Sequence, residues 1–301
     1  MEKRYDLMRF YTICTPDGRK VPAVQGPEGS IYALQDFFAS CTDMLDAVRT
    51  LGADPERLQE LRNNLQSPVT FTSPFDPASV RILAPMQRTE GDIVCVGLNY
   101  RSHIDETAHV EDFTNKEATV YFAKRADSIL GPGDRIPDYD FVDQLDYEVE
   151  LGVILGRDVR GYDPDRDPNP VFGYTVFNDL SARNLQFLHK QWFIGKSLDG
   201  YTAMGPCIVT ADEAGNIDDL RIACSVNEEI RQEASTRQMI TRVPELIREL
   251  SKYMTLRAGT VIATGTPGGV ALGMEHPRYL KSGDRVVCEI EGIGKLENLV
   301  G

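Results

Sequence analysis

Three observations predict a β-rich α+β fold, with a small N-terminal α+β domain in residues 1–75 and a larger domain in residues 76–301. Strand-like runs outnumber amphipathic helices, the two are not regularly interleaved as a doubly wound sheet requires, and prolines crowd the stretch from Pro68 to Pro77. Those prolines restrict helix and favour an extended connection, which places the boundary. A chain of 301 residues can bury a full core and lies near the upper limit for one domain, so one large plus one small domain is expected.

The elements follow in order. Leu7 to Cys14 reads as a strand, Thr15-Pro16-Asp17-Gly18 as a turn and Lys20 to Val24 as the returning strand of a hairpin. One helix runs from about Asp43 to Leu51 and stops at Gly52. The next starts at Asp54-Pro55, a capping residue with proline at the first helical position, and carries Leu58, Leu61 and Leu65 at helical spacing. Beyond the boundary, strands are predicted at Val80 to Leu83, Asp92 to Leu98, Thr119 to Ala123, Leu145 to Leu155 and Val171 to Phe177. Ser181 to Leu188 reads as a helix, Pro206 to Thr210 and Leu220 to Val226 as strands, and Pro244 to Tyr253 as an amphipathic helix. The last strands are Thr260 to Ala263 and Arg285 to Ile290.

The charge balance excludes some functions. A net charge of −14 argues against a nucleic-acid partner, which calls for a basic face. No apolar stretch approaches the roughly 20 residues of a membrane span, and the start, Met1-Glu2-Lys3-Arg4-Tyr5-Asp6, lacks the apolar run of a signal peptide. A cytoplasmic protein acting on small molecules is the expectation. The six cysteines are scattered singly, with no Cys-x-x-Cys pair, and read as reduced and structural.

The chemistry concentrates in acids. Glu148 and Glu150 lie two apart, so on an extended strand both carboxylates point the same way about 6.5 Å apart and can converge on one cation. Alternating acids and apolar residues also mark the solvated face of an edge strand. Asp179, at the end of a second strand-like run, turns the reading towards a metal site. Three carboxylates with no nearby histidine or cysteine make an all-oxygen set, suited to Mg2+, Mn2+ or Ca2+ rather than zinc. His103 and Glu106 are three apart, so one helical turn sets them side by side and lets the carboxylate orient the imidazole as a water-activating dyad. A solvated histidine on a surface helix would have the same spacing. His109, His189 and His276 have no such partner.

Val96-Gly97-Leu98-Asn99-Tyr100-Arg101-Ser102-His103, Asp146-Tyr147-Glu148-Val149-Glu150, Asn178-Asp179-Leu180-Ser181-Ala182-Arg183, Gly195-Lys196-Ser197-Leu198-Asp199 and Ala263-Thr264-Gly265-Thr266-Pro267-Gly268-Gly269-Val270 together resemble the fumarylacetoacetate hydrolase family. They run in the family's order over about Val80 to Val300. The resemblance implies the family's mixed β-sandwich or roll, a Mg2+ or Mn2+ ion on Glu148, Glu150 and Asp179 (with Ca2+ accepted in vitro), and a homodimer. It implies that His103 and Glu106 act on water and that the polar run from Arg101 to Glu117, which lacks apolar surface to hold it down, closes over substrate. Arg183, Gln186 and Lys196 would contact substrate oxygens, the last two as oxyanion donors, with Thr266 on the substrate carboxylate and Lys124 as a further substrate-binding residue. Arg125 departs from the small residue or proline expected beside Lys124.

The implied activity is metal-dependent hydrolysis of a carbon–carbon bond in acylpyruvate-like 2,4-dioxo acids, giving pyruvate and a carboxylic acid. Decarboxylation of oxaloacetate-like acids and isomerisation of a 2-hydroxy-dienedioate use the same scaffold, and a non-catalytic cation-binding protein is the alternative outside enzymes. The extra aspartate ligand of fumarylacetoacetases proper has no clear match here, which disfavours that substrate.

Overall fold

A computed structural model describes residues 8–26, 29–66, 73–113 and 118–301. Leu7, the boundary residues 67–72 and residues 114–117 of the polar run lie outside the described residues.

The chain opens with the expected hairpin, β1 (Arg9–Cys14) and β2 (Lys20–Gln25), turned at Gly18 with φ of 84°. β3 (Ile31–Ala33) adds to it. Two helices follow, α1 (Met44–Gly52), whose N-cap Asp43 accepts the Asp46 N–H, and α2 (Pro55–Gln66), which begins on its proline. Next come β4 (Arg81–Leu83), β5 (Ile93–Gly97), α3 (Arg101–Glu106), β6 (Val120–Lys124), β7 (Ile129–Leu130) and β8 (Arg135–Ile136). The acidic segments form β9 (Leu145–Asp146), β10 (Val149–Leu155), β11 (Val171–Asp179) and β12 (Ser181–Ala182). One-turn helices α4 (Arg183–Gln186) and α5 (Phe193–Lys196) lead to β13 (Thr202–Thr210), β14 (Arg221–Val226) and β15 (Glu229–Ser235). The chain ends with α6 (Val243–Tyr253), β16 (Val261–Ala263), β17 (Arg285–Ile290) and β18 (Gly294–Val300).

The fold is strand-rich α+β, built on two mixed sheets. The larger has the path β3-β2-β1-β13-β11-β10-β16-β5-β6, with β4 on β1 and β7 on β13. The smaller runs β15-β14-β17-β18-β8. β1 pairs antiparallel with β13, Arg9 opposite Val209, so main-chain hydrogen bonds cross the proposed division at residue 75.

The central strands β10 and β11 are buried along their whole length, which explains their near-continuous apolar sequence. One face packs on the small sheet: Leu151, Val153, Tyr174, Val176 and Val209 share a core with Ile222, Cys224, Val286, Cys288 and Leu296. The other face, with Ile154, Phe172, Phe177 and Ile208, is covered by Met44, Leu45, Val48 and Leu51 of α1. Each fully buried side chain of this size contributes about 1.5–3 kcal/mol. Glu150 and Asp179 continue the α1-facing rows at the strand ends, where Lys124 of β6 and Lys196 of α5 close on Asp179.

Several expectations need correction. The strand predicted from Leu145 to Leu155 is interrupted, because the Asn178 side chain takes the Glu148 N–H at 3.0 Å and Asp146 takes its neighbour's, the Tyr147 N–H, at 3.0 Å. The helix predicted from Ser181 to Leu188 shrinks to the single turn of α4, since Ser181 and Ala182 pair with β9 instead. β15 and β18 were not anticipated: Glu229–Ser235 is largely polar and half exposed, with no apolar alternation to reveal it. The six cysteines are free, and among the described residues no helix is long and apolar enough to cross a membrane.

Candidate metal centre

Glu148, Glu150 and Asp179 converge, with ligand atoms within 4.8 Å of one another, and all three are buried. The solvated edge-strand alternative is thereby excluded. The strand register does this: β10 pairs with β11 so that Val149 faces Asn178, and the Asp179 N–H donates to the Glu148 carbonyl at 2.9 Å.

Cations surround two of the three acids. Lys196 Nζ lies 2.6 Å from Glu148 Oε2 and 2.7 Å from Asp179 Oδ2; Lys124 Nζ lies 2.7 Å from Asp179 Oδ1; Arg183 lies 2.5 Å from Glu148 Oε1. Burial opposes ionisation of Glu148, but Arg183 and Lys196 outweigh it and hold that carboxyl below the usual range. For Glu150 the charge of Lys196 and the Gly265 N–H do not offset the opposing effects. Burial, then the negative charges of Asp179 and Glu148, push its proton affinity well up, and among the described residues no lysine or arginine pairs with it. The Gly265 N–H at 2.8 Å is the donor it receives. A buried, under-compensated carboxylate beside two others is the electrostatic setting a divalent cation satisfies, and the all-oxygen donor set fits magnesium or manganese.

The dyad forms as the spacing predicts. His103 and Glu106 sit on α3 with Nδ1 and Oε1 3.0 Å apart, and His103 is 4% exposed rather than solvated. Glu106 Oε2 also accepts the Gly269 N–H at 2.6 Å, and Ser102 Oγ accepts the Gly268 N–H at 3.0 Å, so α3 is docked on the glycine-rich loop after β16. Asn99 fixes the entry to α3, donating to the Thr241 and Thr264 carbonyls and accepting the Thr241 N–H. The polar run does carry an apolar anchor, contrary to expectation: Phe113 is buried, edge-on to Phe187 and Trp192. His109, His189 and His276 are exposed.

A small cavity of about 20 Å³ opens between these groups. Its polar side is formed by His103, Glu148, Glu150, Arg183, Gln186, Lys196 and Thr266, and its apolar side by Phe113, Phe122, Trp192 and the Val96 to Leu98 segment. Leu98 holds the left-handed backbone region, φ 59°, which is strained for a bulky residue and sets the rim. Gln186 Nε2 is buried without a partner among the described residues, an unused donor beside the cavity. Lys124 does not line the cavity; it stands behind Asp179, fully buried, and also donates to the Leu180 carbonyl at 2.8 Å. Arg183 is locked by Asp146 and Glu148, with Nη1 on Gln186 Oε1 at 2.9 Å.

Sequence reasoning missed four contributors: Asp146, Asn178, the aromatic wall and Gln232. Asp146 is fully buried and accepts from Arg183, Ala271 and Leu272. Its place in the same acidic run was the available signal. Gln232, alone on a polar strand, gave none.

With this geometry in view, the comparisons with known proteins agree. Residues 92–301 match the family model described as Fumarylacetoacetate (FAA) hydrolase C-terminal. The chain belongs to the fumarylacetoacetate hydrolase family. It is similar to the oxaloacetate tautomerase YisK of Bacillus subtilis (strain 168), 36% identical over 286 residues, covering 95% of this chain and 94% of that protein. Among solved structures it is similar to a fumarylacetoacetate hydrolase from the psychrophile Exiguobacterium antarcticum, with TM-score 0.80, 37% identity and coverage of 97% and 99%. A 2-hydroxyhepta-2,4-diene-1,7-dioate isomerase from Mycobacterium marinum gives TM-score 0.70, 30% identity and coverage of 97% and 98%. The family's members are enzymes, and these relatives are by name a tautomerase, a hydrolase and an isomerase.

Proposed function

We propose that this family member catalyses enol chemistry of short 2-oxo acids at a magnesium- or manganese-dependent site, with keto–enol tautomerisation of an oxaloacetate-like acid as its reaction. The observation that carries this is that His103, held by Glu106, lines the same cavity as Glu148, Glu150, Arg183 and Lys196. The similarity to an oxaloacetate tautomerase over nearly the full length supports the substrate class.

Glu148, Glu150 and Asp179 would hold the cation, which when bound supplies Lewis-acid polarisation of the 2-oxo and carboxylate oxygens. The remaining chemistry falls to side chains. His103 Nδ1 is engaged by Glu106, which leaves Nε2 to exchange a proton with substrate. The C–H bond beside the carbonyl breaks, its electron pair forms the carbon–carbon double bond, and the carbonyl pair moves to oxygen, which takes the proton. Gln186 Nε2 and Lys196 donate towards that oxygen as charge develops.

A second reading is the one drawn from the sequence, hydrolysis of acylpyruvate-like 2,4-dioxo acids. The apolar wall of Phe113, Phe122 and Trp192 favours it, because such a wall suits an acyl chain better than a second carboxylate. There His103 takes its proton from water, the hydroxide adds to the 4-carbonyl, and the bond between carbons 3 and 4 breaks with its pair left on the pyruvate enolate. Decarboxylation and dienedioate isomerisation are outcomes of the same enolate. A homodimer belongs to this proposal.

The test supplies metal-stripped enzyme with oxaloacetate and, separately, with acetylpyruvate, each with and without Mn2+. Mn2+-dependent loss of the oxaloacetate enol absorbance supports tautomerisation; Mn2+-dependent pyruvate release from acetylpyruvate moves the assignment to hydrolysis. Activity on neither acid contradicts both readings.

A further inference from the structure

Gln232 lies on β15, an edge strand of the small sheet, yet its side chain is fully buried and reaches across to the larger one. Its Oε1 accepts the N–H of Val149, the residue between the two glutamates, at 3.1 Å. Its Nε2 donates to Thr266 Oγ1 and to the Pro267 carbonyl, both at 2.8 Å. These partners fix the amide orientation, since only the oxygen can take an N–H and only the nitrogen can serve a carbonyl.

The same logic fixes Thr266. Its hydroxyl lies 2.9 Å from the Val149 carbonyl, to which it can only donate, while it accepts from Gln232. The single hydroxyl proton is therefore committed inside the protein and is not available to a ligand carboxylate. The loop is tied at three points: Glu150 of β10 takes the Gly265 N–H, Gln232 holds Thr266 and Pro267, and Glu106 of α3 takes the Gly269 N–H. Backbone contact closes the brace, because a Cβ at Gly269 would stand 2.0 Å from the Arg231 carbonyl oxygen.

We infer that Gln232 is a positioning residue that locks the Glu148-Val149-Glu150 segment to the Thr266 loop, and that the Thr266 hydroxyl works as part of this lock rather than as a donor to substrate. The inference rests on the reading of Glu148, Glu150 and Asp179 as a metal site. Groups that orient metal ligands typically govern affinity by 10–100-fold, so a brace through the residue between two ligands acts on metal binding before it acts on substrate.

The experiment is a double-substitution cycle on the full chain, read by Mn2+ titration of metal-stripped protein and by oxalate titration of the Mn2+-loaded protein. Gln232→Met, of equal length but without hydrogen bonds, is expected to weaken Mn2+ binding about tenfold or more. Thr266→Val should weaken it comparably, and the double variant should be no worse than the weaker single, because both cut one brace. If Gln232→Met does not fold, Gln232→Glu replaces it: it keeps the acceptor for Val149, loses the donors, and should match Thr266→Val. The inference is overturned if Gln232 variants bind Mn2+ as the unaltered chain does, if the two effects multiply independently, or if Thr266→Val loses oxalate affinity while keeping Mn2+ affinity. An unaltered chain that binds no Mn2+ overturns the metal reading itself, and the brace's role with it, a result distinct from the other three.

Discussion

Replacing Lys196 with methionine keeps the shape of a buried side chain and removes its charge. Lys196 Nζ bridges Glu148 Oε2 at 2.6 Å and Asp179 Oδ2 at 2.7 Å, and its side chain is 2% exposed. In the metal-free protein the variant leaves three buried carboxylates facing two cations, Arg183 and Lys124. Removing one partner of a buried pair costs about 3–5 kcal/mol. With an unfolding entropy of about 2.1 cal/mol/K per residue, that loss lowers Tm by about 5–8 °C for a chain of this length. The assay is thermal unfolding by circular dichroism of both metal-stripped proteins, with and without Mn2+. The gap should narrow when Mn2+ is added, because the cation restores the missing positive charge. Turnover should not recover with it, since loss of an oxyanion donor costs about 10²–10³ in rate. A metal-free shift below about 1 °C, well under the range expected, or a gap that Mn2+ leaves unchanged, would refute this account of the charge balance.

Other predictions follow from the same geometry. His103→Gln should reduce turnover by about 10²–10⁴ while leaving Mn2+ affinity unchanged, as checked by parallel kinetics and titration. Trp192→Ala removes part of the wall that meets Phe113 and Phe122 with ring centroids at 5.0 and 5.3 Å, and should raise relative affinity for longer 2-oxo acids, measured as a series of inhibition constants. Burial pushes the Cys207 thiol up to about 11 and raises Cys95 and Cys224 well above the usual value, so at about pH 8 these three should resist a thiol reagent until the protein unfolds. Mass mapping of labelled peptides reads the outcome. Glu150 is raised above its unfolded value of 4.5, so its contribution to metal-free stability is present at low pH and is lost as pH rises through the folded value. The metal-stripped Tm should fall across that window, and Mn2+ should flatten the fall.

Much of the site was legible because its chemistry lies in short, local patterns. The spacing of Glu148 and Glu150 and the strand-ending Asp179 point to the convergence that the fold realises, although Glu148 lies in the break before β10, and the His103/Glu106 turn forms as spaced. The apolar runs of β10 and β11 showed their burial for the same reason. What escaped depends on partners far away in the chain. Asp146 reads as one more acid in a row until the loop at Ala271 and Leu272 and the guanidinium of Arg183 close on it. β15 is polar because its outer face meets solvent, and Gln232 finds its partners in Val149, 83 residues earlier, and in Thr266 and Pro267 beyond it. The helix foreseen after Asp179 lost to pairing with β9, a tertiary demand that local propensity does not contain.

The central claim is that Glu148, Glu150 and Asp179 form one divalent-cation site. Calorimetric titration of the metal-stripped chain with Mn2+, beside Glu150→Gln, tests it most directly. One ion per chain is expected for the unaltered protein, with severe loss of binding in the variant. Equal binding by both, or none by the unaltered chain, would contradict it.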